Sequence, residues 1–124
     1  MILDDLATHL QAQGVGTVSV DIFKGQLPDQ PDNCVALFEY GGEGMPLHWS
    51  GEFPSVQVRV RNKSYSTGRA KIEAVVTALH GLTEHIAGAT RYLLLQAKQS
   101  PASIGRDQNN RQEFVVNFSV IKER

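Results

Sequence analysis

The sequence predicts an α+β fold: a single mixed or antiparallel β-sheet with two α-helices packed on one of its faces, in the order α-β-β-β-α-β-β. Three observations carry this expectation. From Ser55 to Asn62, Val56, Val58 and Val60 alternate with Gln57, Arg59 and Arg61, the two-residue period of a strand buried on one side. After Asn62-Lys63-Ser64 the period changes, and Ile72, Val75, Val76 and Leu79 fall at i, i+3, i+4 and i+7 of an amphipathic helix. Near the end, Phe114, Val116, Phe118 and Val120 give one continuous apolar strand face, so the sheet supplies most of the core.

The elements follow in order. Ile2 to Gln13 places Leu3, Leu6, Ala7 and Leu10 on one helical face, with Asp4 and Asp5 near the positive end of the helix dipole and Gly14 as the stop. Thr17 to Phe23 alternates Val18, Val20 and Ile22 with polar residues and is read as a strand. Gly25, Pro28 and Pro31 interrupt that pattern before a second strand, Cys34 to Tyr40. The turn-rich segment Gly41 to Phe53 precedes the third strand. The second helix has Ser66 or Thr67 available as its N-cap, His80 in its last turn and Gly81 where a left-handed C-cap belongs. Tyr92 to Gln99 and Gln112 to Lys122 read as a closing hairpin around the polar loop Ser100 to Arg111.

Composition narrows the function classes. The 124 residues suit one domain spanning residues 1–124, with an ordinary two-layer core. Twelve Lys and Arg against 13 Asp and Glu leave a net charge of −1, so the chain as a whole is not built to hold a phosphate backbone. Protein partners are expected rather than a specific nucleic acid, although a local basic face stays open. The acidic N-terminus lacks the charge and apolar core of a signal peptide, and no stretch approaches the ~20 apolar residues of a membrane span, so neither export nor a membrane partner is expected.

Few residues suggest chemistry. Cys34 is unpaired and sits in an apolar strand, the setting of a buried inert thiol rather than a nucleophile. His9, His48, His80 and His85 show no metal-ligand spacing. The Gly41-Gly42-Glu43-Gly44 cluster leads into Met45-Pro46 rather than a helix, so it lacks a phosphate-binding helix end and reads as a hinge. No catalytic residue, metal or cofactor is expected.

Two surfaces are candidates for protein contact. The segment Gly41 to Phe53 carries Met45, Leu47, Trp49 and Phe53, apolar groups that either form a docking arm or fold back to cap the domain's own core. Arg59 and Arg61 project from the side of their strand opposite the valines. They are either solvated charges that limit edge pairing, partners of a neighbour's Glu39, Glu43 or Glu52, or groups lining a lumen. Arg106 and Asp107, in the polar loop, join them as intersubunit or lumen candidates. The consecutive Leu93, Leu94 and Leu95 call for apolar surroundings on both faces, given either by another copy or by the first helix or an arm loop.

The run Pro54, Val56-Gln57-Val58-Arg59-Val60-Arg61, Tyr65, Arg69-Ala70 and Ala78-Leu79-His80-Gly81-Leu82 resembles the tail terminator proteins of tailed bacteriophages, a group that includes minor capsid proteins. The likeness extends to ILDDLATHLQAQGVG, PDNCVALFEYGG, RYLLLQAKQSPASIGRD and EFVVNFSVIKER. It implies a structural protein, not an enzyme, that forms a ring of typically six copies on the head-proximal end of the virion's tail tube. There it would end tube growth and meet the head connector or a head-completion protein. Assembly would take place in the bacterial host cytoplasm, from a phage or a prophage. Two alternatives stay open: another neck or connector-completion protein, and a small cytosolic α/β ligand-binding domain using the Gly41 to Phe53 loop as a lid.

Overall fold

A computed structural model describes residues 1–124. In chain order the elements are α1 (Ile2–Ala12), β1 (Ile22–Lys24), β2 (Cys34–Tyr40), β3 (Gly51–Glu52), β4 (Ser55–Asn62), α2 (Tyr65–Leu79), β5 (Thr83–Ala87), β6 (Thr90–Ala97), β7 (Ala102–Arg106) and β8 (Gln112–Glu123). The strands form one sheet in the order β1-β2-β4-β8-β6-β5, with β3 and β7 also paired to β8. Only β1 and β2 run parallel, so the sheet is mixed. The α+β class is as the sequence predicts, with three short strands, β3, β5 and β7, added to the expected five.

Both helices bury the same sheet face. Leu3, Leu6 and Leu10 of α1 and Ile72, Val75 and Leu79 of α2 meet Val35, Leu37, Val56, Val58, Val60, Phe114, Val116, Phe118 and Val120 in one core. The valine alternation of β4 thus points inward as its period requires. Ser64, rather than Ser66 or Thr67, is the N-cap of α2, its Oγ accepting from the Thr67 N–H at 3.3 Å. Gly81 takes the left-handed φ of 79° expected of it, just beyond the extended C-cap His80. Gly68 is a close approach: a Cβ there would lie 2.6 Å from the Phe114 ring, so the helix comes down on β8 only because that position has no side chain.

Three local expectations are corrected. Thr17 to Asp21 is a turn, not the first half of a strand. The N–H groups of Val20, Asp21 and Ile22 all bond back to the Thr17 carbonyl, while Asp21 Oδ1 accepts from the Thr17 N–H at 2.6 Å. Such side-chain bonding competes with a ladder, and Val20 is left 63% exposed. The polar loop Ser100 to Arg111 contains a strand: β7 pairs with the first part of β8, and a tight turn joins them. All five β7 residues are exposed, so no alternation announced it. The leucine run is resolved by a register shift between Tyr92 and Leu94, which lets both Tyr92 and Leu95 enter the core while Leu93 and Leu94 stay half-buried.

Candidate protein-interaction surface

The segment between β2 and β4 projects as an arm that returns through β3. Its root is tied by the Glu43 N–H donating to the Phe53 carbonyl at 2.9 Å, and its end by the Arg124 N–H donating to the Ser50 carbonyl at 3.0 Å. Gly42 lies so close to Phe53 and Pro54 that a Cβ would collide with the Phe53 carbonyl, which makes this glycine a close-packing residue as much as a hinge. The apolar residues of the arm behave differently from one another. The Trp49 ring lies over Gly51, where a Cβ would fall inside it, and stands 5.8 Å from the Phe53 ring. Trp49 is therefore partly docked on its own strand, and Phe53 is half-buried. Met45 is 51% and Leu47 92% exposed. A buried leucine is worth about 1.5–3 kcal/mol over an exposed one, so the arm tip leaves an apolar stabilisation unrealised within the protomer.

The sheet face away from the helices divides in two. At one end, Arg61 is buried, its guanidinium and Nε donating to the carbonyls of Pro28, Pro31 and Asp32 in the β1–β2 loop. This side chain is satisfied inside its own chain, so in the protomer Arg61 is neither solvated nor presented to a neighbour or a lumen. The alternation that placed it beside Arg59 gave its face but could not show that a loop covers it. Arg59 is the partly exposed member of the pair. Its Nε donates to Gln57 Oε1 at 3.1 Å, and its only ion pair, to Glu113, is 3.6 Å long. Around it, Phe38, Tyr40, Gln57, Arg59 and Asn117 bound a broad open hollow of about 520 Å³. Lys98 extends over the Tyr40 ring, 5.0 Å from its centroid. None of the apolar arm residues lines this hollow, so the arm is not folded over it as a lid.

Beside the covered end of the face lies a cluster that the sequence did not reveal. Arg111, also buried, donates to carboxylate oxygens of Asp107, Asp32 and Asp29 and to the Asp29 carbonyl, pinning the β1–β2 loop against the β7–β8 turn. Lys63 adds a second cation to Asp32 at 3.0 Å. The hydrogen bond from Lys63 holds the Asp32 carboxyl below its ordinary value. Burial pushes Asp107 up, but hydrogen bonds from Arg111 and from the Asn109 N–H outweigh it and leave its pKa lowered. Asp107 is thus a structural partner of Arg111. Arg106 is exposed, bonded only to Asn110 in the same turn.

Of the remaining reactive groups, Cys34 lies opposite Arg61 across the β2–β4 pair, at the covered end of the face. Cys34 is buried, and burial pushes its thiol up, which disfavours the thiolate. His9 and His85 meet with ring centroids 4.7 Å apart, a pairing between α1 and β5 invisible in their spacing. Burial, and then the neighbouring His9, hold His85 below its ordinary value. No cluster of His, Cys, Asp and Glu has the geometry of a metal site, and no helix is long and apolar enough to cross a membrane.

Known proteins give this surface a context. A chain from the solved virion of a native gene transfer agent particle superposes with a TM-score of 0.76 at 15% identity, covering 99% of this chain and 95% of that one, which shows a shared fold. No curated protein sequence matches. The family model described as bacteriophage tail terminator protein matches residues 9–124, which takes in the last turn of α1, all of α2, the arm and every strand. The chain therefore belongs to the bacteriophage tail terminator family and is a phage structural protein.

Proposed function

We propose that this protein assembles as a ring, of six copies as the family resemblance implies, on the head-proximal end of the tail tube. There it ends tube polymerisation and offers the joining surface for the head connector or a head-completion protein. The observation that carries the reading is the family match over residues 9–124. The exposed apolar arm tip and the open sheet face support it, because a protein whose work is binding needs surface left unsatisfied in the lone protomer. A ring requires a contact between two different patches that closes by rotation, since an unclosed one would extend as a filament. Of the arginines read from the sequence, the partly exposed Arg59 and the exposed Arg106 reach the surface, as an intersubunit or lumen role needs.

Deleting the gene from the genome that encodes the particle tests this. Tubes are expected to lose their defined length and to accumulate unjoined to heads, and the wild-type gene supplied in trans should restore both. Tubes of normal length, joined to heads in its absence, would refute the proposal.

A further inference from the structure

We infer that the arm of one copy seats in the open-face hollow of a second copy, with Met45 and Leu47 entering beside Phe38 and Tyr40 while Glu43 meets the Arg59 guanidinium. The inference rests on the ring reading and supplies its contact. The two surfaces have matching chemistry. The arm presents exposed Met45 and Leu47 towards its tip and Glu43 at its root, and Glu43 makes no ion pair within its own chain. The hollow offers two aromatic walls, Phe38 and the 42% exposed Tyr40, beside an arginine with only a 3.6 Å ion pair and the nearby Lys98. A negative, apolar projection thus faces a positive, aromatic recess. Such complementarity fixes orientation and suppresses wrong pairings.

The seating is between copies rather than within one. Tyr40, at the end of β2, lines the hollow, and the arm begins at the next residue, yet the arm does not turn back into it. Its path is fixed elsewhere: Glu43 is bonded to Phe53, Trp49 lies on Gly51, and Ser50 is bonded to Arg124 at the end of β8. Trp49 is the anchor of the arm, and Leu47 is its tip. Because the arm and the hollow are different patches of one chain, the contact is heterologous, and repeating it propagates in one direction until rotation closes it.

The test uses the single buried cysteine to advantage. In a Cys34→Ala background, Leu47→Cys and Phe38→Cys chains are mixed, oxidised and mapped by mass spectrometry. A disulfide between position 47 of one chain and position 38 of the other is expected, and the double variant should give a ladder of linked oligomers. Leu47→Asp should weaken association at least tenfold, as should Glu43→Lys, with Arg59→Glu restoring the Glu43→Lys chain. If native mass spectrometry shows oligomers but no 47–38 bond forms and the charge exchange does not restore association, this contact is wrong and the ring reading stands. If the chain neither self-associates nor is present on purified tails, the ring reading fails with it.

Discussion

Replacing Trp49 with Ala separates the anchor of the arm from its tip. Trp49 keeps 40% of its surface exposed, so on the order of 120 Å² of the roughly 200 Å² an aromatic residue can bury is removed from water by its own chain. At about 25 cal/mol per Å² that burial is worth about 3 kcal/mol. An unfolded chain already hides part of such surface, which brings the figure to about 2 kcal/mol. For a chain of this size each kcal/mol moves the melting temperature by roughly 3–6 °C, so Trp49→Ala should melt roughly 6–12 °C below the wild type. Leu47, 92% exposed, sets the contrast: Leu47→Ala should stay within about 0.5 kcal/mol of wild type. Thermal unfolding followed by circular dichroism reads both, and sedimentation at high concentration reads association, which both variants should weaken. If Trp49→Ala melts with the wild type, the ring is not docked on Gly51. If Leu47→Ala melts as low as Trp49→Ala, the tip is part of the protomer core and the division of roles is wrong.

Two further predictions concern the frame that holds the arm and the hollow. Leu79, fully buried between α2 and the sheet, should cost roughly 2–5 kcal/mol when replaced by Ala, and an unchanged melting temperature would refute its placement. Arg111→Met should reduce the acid sensitivity of folding. Asp32 and Asp107 have folded pKa values below their unfolded value of 3.8, so their contribution is present above that value and is lost as pH falls through the lower, folded one. Without Arg111 the Asp107 carboxyl moves back up, and Asp32, still held by Lys63, moves part of the way, so urea midpoints measured from pH 6 down to pH 3 should fall less steeply than in the wild type. An equal slope would mean that Arg111 does not hold them.

The sequence by itself determined the two helices, the three long strands β2, β4 and β8, most of β6 and the shared core face, because each rests on a local period. Valines every second residue in β4 and apolar residues at helical spacing in α2 leave one way to bury both. The family was legible for a similar reason, since its segments follow in order along the chain. The tertiary structure alone decided what covers the opposite face. Arg59 and Arg61 are equivalent in the period of β4, yet a loop some thirty residues earlier folds over Arg61 and leaves Arg59 beside an open hollow. Arg111 looked like one more polar loop residue until Asp29 and Asp32 arrived from the β1–β2 loop, far away along the chain. Within the arm, composition grouped Trp49 with Leu47, and only the close passage of Gly51 under the indole distinguished an anchor from a tip. Burial of a side chain depends on what the chain brings to it from elsewhere, and periodicity carries no information about that.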